Sequence, residues 1–213
     1  RPRDWSSDVC SSDLAGDFCS ALHGDEQNFL HNGKGERLYS TLNYQEGNAT
    51  RTRYYYLMNP AAPAWRSYIA QRAQDNASSL PYSGLFLDNV DLTLRRGTDM
   101  ERNSDGKVAE YSSARDYSSA VVGYLQEMRR LLPTTTIWAN LTESNYEPAE
   151  ILPLIPYLDG VMNEYFVTQE EGRTVGPNRW ATQMTQADSV TAAGKSYLAV
   201  AQGTKSDVNR MRF

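Results

Sequence analysis

The chain has 213 residues, with 21 Lys and Arg against 26 Asp and Glu for a formal charge of −5, 40% apolar residues and 11% aromatic ones. This is the composition of a globular protein with a sizeable core, and no apolar run is long enough to span a bilayer. A mildly acidic chain without a basic block is poorly suited to phosphate-backbone binding, so nucleic acid is not an expected partner.

The first residues stand apart from the rest. Asp4 to Leu14, DWSSDVCSSDL, is what one reading frame of a common short-read sequencing adapter encodes. Residues 1–14 are therefore set aside as an artefact, and the chain is expected to be a metagenomic, bacterial fragment whose true beginning is missing. Removing Arg1, Arg3, Asp4, Asp8 and Asp13 changes the charge to −4. Cys10 goes with the artefact. Cys19, alone, is expected to be a small apolar residue; there is no disulfide framework and no Cys/His metal spacing. No metal and no cofactor is expected. The location stays open, leaning to a secreted or extracytoplasmic protein, and the oligomeric state is not legible.

In chain order, residues 15–50 are polar and glycine-rich, with Asn32-Gly33-Lys34-Gly35 as a turn and with His23 and His31 expected as exposed loop imidazoles. Tyr54 to Met58 reads as an aromatic strand ending at Asn59-Pro60, and Pro63 opens a helix carrying Trp65, Tyr68, Ile69 and Ala73 at helical spacing. Gly84 to Val90 is the next strand: an apolar run, Leu85-Phe86-Leu87, opened by glycine and closed by Asp88-Asn89 and Asp91. Ser112 to Leu132 is the next helix, with Tyr117, Val121, Tyr124, Leu125, Met128 and Leu131 at intervals of three and four. Thr135 to Asn140 is a third strand, and Glu147 to Tyr157 a helix expected to kink or break at Pro153. Gly160 to Phe166, a helix from Pro177 to Ala193, and Ser196 to Gln202 follow, with Ser206-Asp207 capping a last helix.

Strand and helix alternate five times. The strand-end residues Asn59, Asp88, Asn140, Glu164 and Gln202 are spaced by 29, 52, 24 and 38 residues, which brackets the roughly 31 residues per unit of a (β/α)8 barrel. An open doubly wound sheet has a similar rhythm, yet neither of its usual phosphate loops, GxGxxG or GxxxxGK[ST], occurs. The expected fold is thus α/β, a TIM barrel incomplete at both ends, with residues 15–213 forming one partial domain. Because side chains alternate along a strand, Phe86 and Asp88 share a face, as do Trp138 and Asn140, Met162 and Glu164, and Val200 and Gln202. If that face lines the barrel, Asp88, Asn140, Glu164 and Gln202 ring its mouth, where such barrels place chemistry. End-of-strand Asn and Gln also commonly cap turns, which is the plainer reading for Asn140 and Gln202 taken singly.

The segment Tyr56-Leu57-Met58-Asn59-Pro60, then Trp65-Arg66, then Gly84-Leu85-Phe86-Leu87-Asp88-Asn89-Val90, resembles the TIM-barrel glycoside hydrolases of hypothetical glycosyl hydrolase family 15. More distantly it is similar to the endo-α-1,4-polygalactosaminidase-like barrels. Asp159 to Glu164 and Tyr197 to Gly203 share the likeness, which covers most of residues 29–203. The resemblance implies a glycosidase with Asp88 at the family's strand-end aspartate and Glu164 at its second acid.

The chemistry leads to the same pair. Cleaving a glycosidic bond needs one carboxyl group to protonate the leaving oxygen and a second to attack the anomeric carbon or activate water. Asp88 is expected as the nucleophile or base and Glu164 as the acid, acting on a polysaccharide or oligosaccharide. Asn59, Asn89, Asp91, Asn140, Glu143, Tyr165 and Gln202 are expected to bind substrate; Glu143 competes with Glu164 for the role of acid. Tyr146 and Tyr165 are placed to stack on sugar faces, and Trp138 to pack in the core. Asp159 precedes its strand and is expected to be structural. The loop from Glu101 to Gly106 hints at calcium, but the EF-hand register puts Ser112 where an acid is required, so it reads as a solvated loop. The alternative is a carbohydrate-binding barrel without hydrolytic activity, in which Asp88 and Glu164 would not face one cavity.

Overall fold

The computed structural model describes residues 22–95, 102–141, 146–168 and 174–201. They fall into two compact units: Arg1–Tyr82 with Asp91–Leu132, and Ser83–Val90 with Pro133–Phe213. Cys10, Cys19, Glu101, Glu143, Gln202 and the helix expected after Ser206 lie outside the described residues.

The first unit opens with a short 3-10 turn at Glu26–Asn28 and an antiparallel hairpin of β1 (Tyr39–Glu46) and β2 (Ala49–Tyr56). Only Gly47 and Asn48 join the strands. Gly47 takes a φ of +61°, the glycine-first arrangement of a two-residue hairpin loop. This corrects the reading of Tyr54 to Met58 as one strand of the parallel series. Tyr54 to Tyr56 pair antiparallel with β1, and Met58 makes only a single antiparallel bridge, to Phe29. Single-strand periodicity is blind to such a choice of partner.

Helix α1 (Pro63–Ser79) starts at a proline whose absent N–H would have no partner in the first turn. Its Trp65 and Ala70 are buried; Trp65 joins a core of Leu22, Phe29, Met58 and Ala62, flanked by Tyr56, Tyr68, Ile69 and Tyr124. Helix α2 (Ala114–Leu131) is capped by Ser113, whose hydroxyl accepts the N–H of Asp116, and it buries Val121, Leu125 and Met128. That stripe is the one its spacing predicts.

The second unit is a parallel sheet of β3 (Gly84–Val90), β4 (Thr136–Leu141), β5 (Gly160–Asn163) and β6 (Ser196–Ala199), in sequence order. The chain here is mixed α/β. Between β4 and β5 come α3 (Pro148–Ile151) and a 3-10 turn at Ile155–Tyr157, separated at Pro153 as its lost N–H requires. Between β5 and β6 comes α4 (Pro177–Ala192), which lies against both α3 and β6. β5 and β6 are shorter than the spans read from sequence. Their pairing nevertheless continues past the strand ends, where Val200 N–H donates to Asn163 O at 3.0 Å and Phe166 N–H to Val200 O at 3.1 Å.

One face of this sheet carries Leu87, Ile137, Ala139 and Val161, all buried, and the same unit buries Ile151, Leu154, Leu158 and Val190. The opposite face carries Phe86, Trp138, Met162 and Leu198, of which Phe86 and Leu198 are exposed. Gly160 is required on that face, because a Cβ there would sit 2.5 Å from the Trp138 indole. Asp159 is structural: its Oδ2 accepts the Ile137 N–H at 2.8 Å, tying the start of β5 to β4.

Candidate functional site

The second unit brings three of the expected residues together. The β3–β4 register pairs Phe86 with Trp138, and the β4–β5 register pairs Asn140 with Met162. Paired residues of adjacent strands point to one face, so Asp88 and Asn140, each two residues further on, share it. Glu164 follows β5 directly, two residues after Met162.

Asn140 joins the two acids. It is 1% exposed, and its Nδ2 donates to Asp88 Oδ1 at 2.7 Å and to Glu164 Oε2 at 3.0 Å. Only the NH2 end of an amide has two protons to give, one for each carboxyl group. Donors splayed at the ideal trigonal angle would put the two accepting oxygens about 5 Å apart. The amide oxygen of Asn140 is buried and has no hydrogen-bond partner among the described residues.

The strand end is shaped to hold Asp88. The β3–β4 register shifts between Leu87 and Val90, and Asn89 has a φ of +52°, a left-handed conformation that asparagine tolerates better than most residues. Such an irregularity re-aims side chains at a strand end. The Asn89 N–H then reaches Asp88 Oδ1 at 2.9 Å, while its Nδ2 lies 3.4 Å from Oδ2. Asp88 thus collects donors from two asparagines.

The segment carrying Glu164 is fixed from α4. Gln183, fully buried, accepts the Val167 N–H at 3.0 Å and donates to the Tyr165 carbonyl at 2.8 Å. Val167 itself has a φ of +67°, unusual for a β-branched residue and a sign that its surroundings hold it in place. Phe166 packs between Trp180 and Tyr197, ring centroids 5.5 and 6.1 Å away. Gln183 carried no signal in the sequence beyond a polar residue within a helix.

Other expected residues are placed differently. Tyr165 is half-buried beside Glu164, its N–H donating to Asn163 Oδ1 at 3.0 Å. Tyr146, expected as a sugar platform, is 3% exposed; a ring buried that deeply offers no face to a ligand. Asn59 and Asp91 belong to the first unit. Asn59 accepts the Tyr111 hydroxyl at 2.6 Å and the Ala61 N–H at 3.0 Å, and burial pushes the Tyr111 phenol up to about 12. Asp91 accepts the N–H and hydroxyl of Thr93 at 2.8 and 3.0 Å, a local turn.

His31 is the clearest miss. It is not an exposed loop imidazole: it is 9% exposed, with Nδ1 2.5 Å from Glu110 Oε1 and Nε2 2.9 Å from Glu26 Oε2. Glu110 comes from 79 residues away, so nothing near His31 in the chain announced it. Among the described residues no group of three or more His, Cys, Asp and Glu is arranged to hold a metal ion. Asp105 instead accepts the backbone N–H groups of Gly33 and Lys107.

A family model described as hypothetical glycosyl hydrolase family 15 matches residues 15–212. The chain belongs to hypothetical glycosyl hydrolase family 15. The glycoside hydrolase domain of PelA from Pseudomonas aeruginosa has a similar fold, with 20% identity, a TM-score of 0.53, and coverage of 82% of this chain and 61% of that one. A cycloisomaltooligosaccharide glucanotransferase from Paenibacillus sp., complexed with cycloisomaltoheptaose, has a TM-score of 0.50 at 14% identity, covering 86% of this chain and 24% of that one. The chain thus spans less than two thirds of the length of either structure. No curated protein matches it. In this member of hypothetical glycosyl hydrolase family 15, then, the Asp88–Asn140–Glu164 cluster lies on the parallel sheet that forms the second unit. No helix among the described residues is long and apolar enough to cross a membrane.

Proposed function

We propose that this chain is the partial (β/α)8 barrel, over residues 15–213, of a glycoside hydrolase that cleaves polysaccharide or oligosaccharide bonds with Asp88 and Glu164. The observation that carries the reading is the single Asn140 amide donating to both carboxyl groups. Two carboxyl groups drawn onto one amide nitrogen suit the roughly 5–5.5 Å separation of retaining enzymes better than the roughly 6.5 Å or more that an inverting pair leaves for water. In the first step the Glu164 carboxyl group gives its proton to the glycosidic oxygen. Asp88 bonds to the anomeric carbon as the carbon–oxygen bond breaks, and the leaving sugar departs as an alcohol. In the second, Glu164 takes a proton from water, whose oxygen displaces Asp88 and releases the other sugar.

The assignment of roles follows the donors. An attacking carboxylate must carry negative charge, and Asp88 is surrounded by the N–H groups of Asn89 and Asn140 that stabilise it. Asn89, Tyr165 and Asn140 stand beside the two acids and would meet the sugar, and Glu143 and Gln202, which follow the same strands in the chain, are proposed to join them. The likeness of the sequence to polygalactosaminidase-like barrels supports a hexosamine polymer as substrate. Such a polymer is met outside the cytoplasm, which supports an extracytoplasmic enzyme.

The test is hydrolysis of galactosaminogalactan and bacterial exopolysaccharides by the unmodified chain, Asp88→Asn and Glu164→Gln. Turnover that both substitutions abolish in folded protein supports the reading, and a product released with its original anomeric configuration supports the two-step route. Turnover that survives either substitution overturns it.

A further inference from the structure

The β1–β2 hairpin presents a face on which Tyr56 packs against the core of its unit while the residues toward the turn are left exposed. The register sets Tyr39 opposite Tyr56, Thr41 opposite Tyr54, Asn43 opposite Thr52 and Gln45 opposite Thr50. Alternation puts all eight side chains on one face. Two-stranded hairpins gain little stability by themselves and depend on packing a face against something else. Yet Tyr54 is 47% exposed, and Asn43, Gln45, Thr50 and Thr52 are exposed as well.

The three rings are held in a fixed array. Tyr39 meets Tyr54 and Tyr56 edge to face at 5.4 and 6.1 Å. Tyr56 is in turn braced by Phe29 at 5.7 Å and by the Arg37 guanidinium 5.5 Å from its centroid. Beyond the rings the face carries hydroxyl and amide groups, ordered by the Thr52–Asn43 and Gln45–Thr50 bonds, each 2.9 Å, with the Arg102 guanidinium donating to the Thr41 hydroxyl at 3.1 Å. At the base of the hairpin is a shallow cavity, wide open to solvent, of about 420 Å³ lined by Glu36, Arg37, Tyr39, Tyr56 and Asn103. Asn103 gives its Nδ2 to the Arg37 carbonyl, and its buried amide oxygen has no hydrogen-bond partner among the described residues.

Rigid aromatic faces beside hydroxyls, amides and a cavity of small-ligand size match one ligand chemistry, that of a sugar ring with an apolar face and hydroxyl edges. We infer that this face and the cavity at its base bind a segment of polysaccharide, as a second saccharide site made of residues other than the carboxylate pair. Hexose or hexosamine rings stack on Tyr54 and Tyr39, while Thr41, Asn43, Thr52 and Asn103 take their hydroxyls. The ligand class rests on the glycoside hydrolase reading; the binding itself does not require turnover.

The experiment uses the full chain carrying Asp88→Asn, so that no polymer is cut, run through native gels containing galactosaminogalactan, dextran or chitosan. At least one polymer is expected to retard it. Adding Tyr54→Ala or Tyr39→Ala should weaken retention about tenfold, and Tyr54→Phe should restore it. Tyr82→Ala, which removes an equally exposed ring outside the hairpin, should leave retention unchanged. Circular dichroism checks that each variant is folded. Retention by none of the three polymers, or retention indifferent to both tyrosine substitutions, overturns the inference. Tyrosine-dependent retention by a chain whose Asp88 form hydrolyses nothing sustains it while removing the hydrolase reading.

Discussion

Asn140 Nδ2 stands 2.7 Å from Asp88 Oδ1, across two adjacent parallel strands, with the asparagine itself buried. Because the same nitrogen also serves Glu164, changing its sign should affect both acids. Asn140→Asp turns the shared donor into a third carboxyl group facing two others. It is expected to lower kcat by a factor of about 100 and to move the alkaline limb of the pH profile upward, since like charges favour a retained proton. Asn140→Ala should lower kcat without that displacement. Rates measured across pH for the three forms check this, and an Asn140→Asp profile that coincides with the parent would refute it.

Asn89 combines a left-handed backbone with a side chain that reaches toward Asp88. Asn89→Gly keeps the conformation accessible, whereas Asn89→Ala retains the Cβ without the polar side chain that lets asparagine tolerate it, and lies about 1 kcal/mol above the glycine variant. Both lose the amide. Denaturant midpoints should therefore separate the two variants, with glycine the more stable, while their activities fall together.

Gly160 allows the Trp138 indole to lie directly over the β5 backbone. A methyl group 2.5–2.6 Å from three ring atoms must displace the indole or part the strands, so Gly160→Ala should destabilise the fold by about 1–3 kcal/mol. Gly176, the N-cap of α4, has open space around its Cβ position and a φ of −68°. Gly176→Ala should change stability much less, and equal midpoints for the two variants would contradict the close approach.

The His31 cluster predicts a stability optimum in mild acid. Burial alone would lower the His31 imidazole, but its bonds to Glu26 and Glu110 outweigh burial and raise it above 6.5. Its contribution is thus complete below that unfolded value and fades as pH rises through the higher folded one. Glu26, held by Arg37 and His31, falls from 4.5 to about 2, so its contribution is present above about 4.5 and fades as pH falls toward about 2. Thermal midpoints should peak between about pH 4.5 and 6.5 from these groups. His31→Gln should flatten the alkaline side of the curve; an unchanged slope there would mean the imidazole is not paired as described.

The local sequence settled where most elements lie. Gly84-Leu85-Phe86-Leu87 read as a short strand, although with Phe86 exposed only one of its faces is buried; the three-four spacing from Tyr117 to Leu131 marked an amphipathic helix, and Pro153 broke its helix, because these depend on neighbours within a turn or two. Alternation also put Asp88, Asn140 and Glu164 at comparable heights. Tertiary structure decided what those positions meet. A polar residue's role depends on its partners, and Asn140 was no more than a strand-end asparagine until two carboxyl groups, 52 and 24 residues away, closed on it. In the same way Glu110 made His31 a buried ion pair, and β1 drew Tyr54 to Tyr56 into a hairpin, since pairing energy is spent between segments that no local pattern connects.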